Sequence, residues 1–240
     1  MENSRLKNSA LNFASGFLGR ALTILLNFAV RTIFIYCLNE AYLSVNGLYS
    51  NILTVLSLAE LGFGSAMVYR MYAPVAVKDY QKAAALLQFY KKIYIIIGVV
   101  IFLLGLCVIP FMDYIIKDKP DISGLTLYYI LFLVNTSISY WFSSYKASVL
   151  YADQKEYIKT NVQNTMAILQ SGLQIVLLLL FRKYLLYLLI QLAGNIFLNL
   201  YVAHLVDKRY PEIQTYQGDS LSAEERVQIR KDTEALVLSR

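Results

Sequence analysis

The apolar residues of this chain do not recur at the one-face spacing of a water-soluble helix; they gather in long runs. Runs at 12–37, 44–72, 90–112, 123–150, 159–181 and 184–206 each exceed the ~20 residues needed to cross a hydrocarbon core of about 30 Å. The pattern predicts an all-α integral membrane protein with six transmembrane helices within residues 1–206. Runs 44–72 and 123–150 are longer than a span requires, so they are expected to tilt or to continue beyond the bilayer. Arg182, Lys183 and Tyr184 alone separate the last two runs, which predicts a tight helical hairpin. From 207 to 240 the pattern turns polar, with Pro211 and Gly218. Ser222 followed three residues later by Glu225 is a capping box, and predicts a helix running to the terminus. This segment reads as a cytoplasmic tail or an inter-lobe linker.

Polar positions inside the runs are also ordered. At 100° per residue, Gly16, Arg20, Thr23, Asn27 and Arg31 fall within an arc of about 80°, a polar, cationic stripe along the first helix. Asn46, Ser50, Ser57, Glu60 and Gly64 make a similar stripe of about 80° on the second. The fourth carries Asn135, Ser139, Ser143 and Lys146, the fifth Asn161, Asn164 and Ser171, and the sixth Gln191, Gly194 and Asn195. Ionisable groups at depth cost about 2.5–3.5 kcal/mol on insertion scales and turn toward protein or water. Stripes on five helices therefore predict a bundle around a hydrated cavity. Arg20, Arg31, Asn27, Glu60, Asn135 and Asn164 are its candidate binding residues.

For each charge there are two readings. Arg20 and Arg31 offer a guanidinium fork suited to phosphate, while Arg31, near a helix end, has a snorkelling role open to it. Glu60 is either a cavity acid or the ion-pair partner of an arginine. Lys146 lies near a helix end, where snorkelling is the expected role. The 20 tyrosines and single tryptophan serve either as interfacial belts or as platforms for sugar rings.

Composition agrees with a lipid environment: 58% of residues are hydrophobic and 16% charged, against about 25% charged in soluble domains. The formal charge of +6 would fit nucleic acid if it were clustered on one module. Instead the basic residues sit in short connections between the runs. With the N-terminus inside, Arg5, Lys7, Arg70, Lys78, Lys82, Lys91, Lys92, Lys146, Lys155, Lys159, Lys208 and Arg209 lie on one side, and Lys117, Lys119, Arg182 and Lys183 on the other. That asymmetry places both termini in the cytoplasm. The first run is too long for a signal peptide core and lacks a cleavage site. Cys37 and Cys107 read as inert thiols buried in apolar stretches. One histidine and two scattered cysteines support no metal site, no nucleophile with an adjacent base can be assembled, and neither an enzyme nor a cofactor is expected.

The stretch from Arg31 to Tyr94, with the pieces YLSVNGLYSNIL, LSLAELGFGSA and LLQFYKKIY, resembles the N-terminal region of bacterial polysaccharide biosynthesis proteins. These form the O-antigen-flippase-like branch of the multidrug/oligosaccharidyl-lipid/polysaccharide exporter superfamily. The resemblance implies half of an exporter of 12 to 14 helices whose two six-helix lobes open a central cavity alternately to each face. It implies a bacterial cell membrane location. The implied cargo is a polyprenyl-pyrophosphate-linked oligosaccharide carried to the outer leaflet for capsule or O-antigen assembly, with cavity cations such as Arg20 and Arg31 holding the pyrophosphate. Implied partners are membrane lipids, a second lobe or second copy, and polysaccharide-assembly proteins. Since only one lobe is present, the chain is expected to be a fragment or to pair with another half. Two other functions fit the same pattern: an ion-coupled drug or metabolite exporter using Glu60, and a membrane scaffold for polysaccharide synthesis.

Overall fold

A computed structural model describes residues 2–57, 63–116, 120–142 and 144–216, together with Leu221, Glu224, Val227 and Ile229. Among these residues all regular structure is helical: α1 (Glu2–Leu38), α2 (Glu40–Ser57), α3 (Phe63–Ala76), α4 (Tyr80–Val108), α5 (Met112–Ile115), α6 (Leu125–Trp141), α7 (Ala147–Ala152), α8 (Glu156–Phe181), α9 (Tyr184–Arg209) and α10 (Pro211–Thr215). Single 3₁₀ turns, Ile109–Phe111 and Ser144–Lys146, lead into α5 and α7.

Among the described residues four helical stretches are long and apolar enough to cross a membrane: Leu6–Leu38, Tyr80–Ile115, Glu156–Phe181 and Tyr184–Arg209. Leu125–Trp141 and Ser144–Ala152 qualify as a fifth only if taken together, as one span bent by 44°. The expected continuous helix over 123–150 is therefore corrected to a broken one. The break is serine-rich: the Ser144 hydroxyl contacts the Ser139 carbonyl, and Ser139 Oγ donates to the Thr136 carbonyl at 2.6 Å. Such side chains compete with the backbone ladder. The expected span 44–72 is seen as α2 and α3; residues 58–62 between them, Glu60 included, lie outside the described residues.

The helices are inverted relative to a water-soluble bundle. On α1, Phe13, Phe17, Ile24, Leu25 and Phe28 point outward and are more than half exposed, and α8 likewise turns Leu169, Leu173, Val176 and Leu180 outward. Gly19 of α1 and Ser171 and Gln174 of α8 are buried between the helices, whereas Arg20 and Asn27 of α1 are exposed. Contiguous apolar surface of this kind is unfavourable in water and favourable in lipid. Cys107, expected to be buried, is exposed on α4, on a helix whose outward residues include Leu103 and Leu104.

Two apolar clusters hold the ends together. At the Leu38 end, Phe34, Leu38, Tyr49, Tyr129, Leu133 and Tyr184 pack as one group. Tyr49 and Tyr129 satisfy their hydroxyls on the Leu125 and Gly105 carbonyls at 3.1 and 3.0 Å. At the Tyr210 end, Met71, Ala83, Tyr90, Leu150, Val206 and Tyr210 pack together, joined by Leu221 and Ile229 of the tail. α2 feeds the first cluster and α3 the second. Glu224, Val227 and Ile229 are helical; the remainder of the predicted terminal helix lies outside the described residues.

The Tyr210 end is cross-linked by polar contacts. Asp153 accepts from Lys155 and from Tyr210 Oη, the latter at 2.5 Å. Burial first, and the Asp153 carboxylate second, push the Tyr210 phenol well above its ordinary range, keeping it a donor. Lys146, expected to snorkel, instead pairs with Asp207 of α9 at 2.5 Å. Asn12 of α1 caps α8 from outside: its Oδ1 accepts the Tyr157 amide at 2.7 Å and its Nδ2 donates to the Gln154 carbonyl at 3.1 Å. Lys155, at the N-cap position, provides no side-chain cap. Asn12→Ala is expected to cost about 1 kcal/mol, the usual value of a lost cap. The measurement is an apparent melting temperature of the detergent-solubilised chain, falling by about 2–4 °C.

Candidate functional site

Gly19 of α1 packs directly on Asn164 of α8, with Asn164 Oδ1 only 2.3 Å from where a Cβ would stand. Gly194 of α9 makes the same close approach to Gln170. Small residues let the backbones come together, and amides rather than hydrocarbon fill the seam. The result is a cavity of about 720 Å³ bordered by α1, α2, α6, α8 and α9, within the range of small-molecule sites.

The structure brings Arg20, Asn27, Asn135 and Asn164 to the lining of this one cavity. Gly16, Thr23, Asn46, Ser171, Gln191, Gly194 and Asn195 from the predicted stripes line it as well. Arg31 does not. Toward the Leu38 end the inward face of α1 is Val30, Phe34 and Leu38, 7%, 2% and 7% exposed. Arg31, one residue past Val30, is thus rotated by about 100° from that face and is exposed. Glu60 lies outside the described residues. The sequence reading passed over Thr160, Gln163, Gln170 and Gln174, which line the cavity beside Asn164 and Ser171. Their spacing of three and four residues was the readable sign.

Hydrogen bonds fix the amides. Asn195 Nδ2 donates to the Asn135 carbonyl and Oδ1 at 2.8 and 3.1 Å, and Asn199 Nδ2 donates to the Asn195 carbonyl and Oδ1, both at 2.9 Å. Ser144 Oγ then reaches Asn199 Oδ1 at 2.7 Å. Asn164 Nδ2 donates to the Ser15 carbonyl at 3.3 Å, and Gln174, 4% exposed, donates to the Tyr187 carbonyl at 3.3 Å. In low dielectric a satisfied ladder of this kind is rigid and an unsatisfied one costly.

No family model, curated protein or solved structure matches the chain. The site is accordingly read from its own chemistry. Arg20 is the single charged side chain among the described lining residues, and among the described residues no acid is paired with it. Around it stand neutral amides and hydroxyls, which can both donate and accept. The arrangement attracts an anion and offers hydrogen bonds to the polar groups attached to it.

A second, larger cavity of about 1180 Å³ lies toward the Tyr210 end, between α3, α4, α6, α7 and α8. Tyrosines dominate it: Tyr69, Tyr72, Tyr94, Tyr140 and Tyr151, with Ser139, Ser144 and Ser148. The tyrosines of the opposite end, Tyr42, Tyr128, Tyr184 and Tyr187, cluster with Phe34 at ring separations of 4.8–6.1 Å.

Proposed function

We propose that the chain is a lobe of a membrane transporter that moves a lipid-linked, polyprenyl-pyrophosphate-bearing oligosaccharide from the inner to the outer leaflet for cell-surface polysaccharide assembly. The observation that carries this reading is the 720 Å³ cavity in a lipid-facing bundle, lined by amides and hydroxyls around the Arg20 guanidinium, which has no acidic partner among the described residues. A pyrophosphate supplies the negative charge that Arg20 lacks, and sugar hydroxyls match the two-way hydrogen bonding of Asn27, Asn135, Asn164 and Gln191. The outward apolar faces of α1 and α8 suit the polyprenyl tail. The resemblance of residues 31–94 to the polysaccharide-exporter branch supports the same cargo, and the placement of basic residues supports a cytoplasmic Tyr210 end.

The test is direct. The purified chain in lipid nanodiscs is titrated with a short-chain polyprenyl pyrophosphate, a polyprenyl monophosphate and the parent alcohol. Saturable binding of the pyrophosphate, tighter than the alcohol by about tenfold or more, is the expected result. Equal binding of all three would mean that the cavity does not select an anion and would end this reading. Leaflet translocation of the glycosylated lipid in proteoliposomes is the functional readout.

A further inference from the structure

The tyrosine-lined cavity at the Tyr210 end differs in chemistry from the Arg20 cavity. Its two charged lining residues, Glu156 and Lys159, are of opposite sign. Lys159 is engaged, with Nζ donating to Tyr151 Oη at 2.7 Å and lying 5.0 Å from that ring's centroid. What remains is a wall of aromatic faces and hydroxyls. Tyr69 and Tyr72, both on α3, are 69% and 44% exposed, and among the described residues neither hydroxyl has a hydrogen-bond partner. Tyr94 and Tyr140 face each other across α4 and α6 with centroids 6.0 Å apart.

We infer that this cavity is a carbohydrate site that takes a neutral pyranose, one C–H face stacked on Tyr69 or Tyr72 and a sugar hydroxyl bonded to the hydroxyl of the other. Aromatic rings attract the polarised C–H face of a sugar through their negative π-face. The Tyr69 and Tyr72 hydroxyls, each both donor and acceptor, suit a polyol better than they suit a cation or a carboxylate. Hydrogen-bonded side chains link the wall of this cavity to that of the Arg20 cavity. Asn195 lines that cavity, Asn199 bonds Asn195, and Ser144, which bonds Asn199, lines the tyrosine cavity. If one ligand fills both, a point that rests on the function proposed above, its phosphate end lies at Arg20 and its glycan extends toward Tyr72.

The single tryptophan, Trp141, provides the reporter. It follows Tyr140 in α6, and its Nε1 packs against Gly98. Full chain in nanodiscs is titrated with free glucose, galactose and N-acetylglucosamine, and separately with inorganic pyrophosphate, while Trp141 emission and calorimetric heat are followed. At least one sugar is expected to give a saturable change with a midpoint on the order of millimolar. Tyr69→Ala with Tyr72→Ala should raise that midpoint about tenfold, and Phe at both positions should restore it to within about threefold, since the ring face is kept. Arg20→Ala should leave the sugar curve in place and weaken pyrophosphate. Saturation by none of the three sugars, or a double alanine variant that remains helical and binds as before, overturns the carbohydrate site even where pyrophosphate still needs Arg20. Sugar binding that depends on the tyrosines, alongside pyrophosphate binding indifferent to Arg20, upholds this site and overturns the anion reading instead.

Discussion

Gly98→Val is expected to lower the apparent melting temperature of the solubilised chain by about 5–10 °C, corresponding to roughly 2–3 kcal/mol of overpacking. A Cβ at position 98 would stand 2.6 Å from Trp141 Nε1 and 2.9 Å from Tyr140 Cβ. The first atom belongs to a large ring, and the second is tied to the α6 backbone, so neither can step aside cheaply. A Cβ at Gly105, two turns further along the same face of α4, would stand 2.3 Å from Leu133 Cδ1, and Leu133 is completely buried. The two glycines therefore set the distance between α4 and α6, which close packing in lipid requires. The Gly105 carbonyl also accepts the buried Tyr129 hydroxyl at 3.0 Å, so separating the helices would strand a polar group. Gly47→Ala is the comparison: nothing lies within 4 Å of its Cβ, and alanine in a helix is favoured by about 0.8–1.0 kcal/mol over glycine. Equal melting temperatures for the two variants would show that α4 and α6 are not held at contact distance by Gly98.

Much of this architecture was readable from hydropathy, because a span needs only length and apolarity. The runs at 12–37, 90–112, 159–181 and 184–206 fall within the four helical stretches that qualify as spans. What hydropathy could not convey is where a helix continues beyond its apolar run. Asp79 caps α4 by accepting the Lys82 amide at 3.0 Å, so the helix starts ten residues before its predicted span. Nor could it convey the break after Trp141, which depends on serine side chains folding back onto the backbone.

The cavity was legible to a similar extent and for a similar reason. Angular bookkeeping on each helix placed Arg20, Asn27, Asn135 and Asn164 on polar stripes, and these four share a cavity lining. It failed for Arg31, because an ideal 100° step assumes one inward direction for the whole helix. In α1 the inward face follows Gly19, Thr23, Val30, Phe34 and Leu38 as the helix passes from α8 into the cluster at its own end. The glutamines of α8 were overlooked since long amides do not stand out in an apolar run, although Gln163, Gln170 and Gln174 repeat at the same spacing as the recognised residues. The tyrosine cavity was beyond reach from sequence. Its wall is assembled from α3, α4, α6, α7 and α8, and no single helix displays it.

Arg20→Ala is expected to weaken pyrophosphate and polyprenyl-pyrophosphate binding by about 10- to 100-fold, the loss of a charge-assisted hydrogen bond worth roughly 1.5–3 kcal/mol. The side chain is the one charge among the described lining residues, so no neighbouring cation can substitute for it. Position matters as much as sign. Thr23, one turn along, returns its hydroxyl to the Gly19 carbonyl at 2.8 Å, and Gly19 is pressed against Asn164, so the backbone that carries Arg20 is fixed against α8. Arg20→Lys keeps the charge and loses the planar fork; an intermediate loss of about three- to tenfold is expected. Arg31→Ala removes an equal charge from the same helix but from outside the cavity lining, and should change affinity by less than about twofold once screening at physiological salt is included. The ratio of the two alanine effects is the decisive quantity. A general electrostatic pull on an anionic lipid would be reduced alike by either substitution, whereas a built site responds to Arg20 and is indifferent to Arg31. Equal losses would therefore locate the anion at the membrane surface and remove it from the cavity.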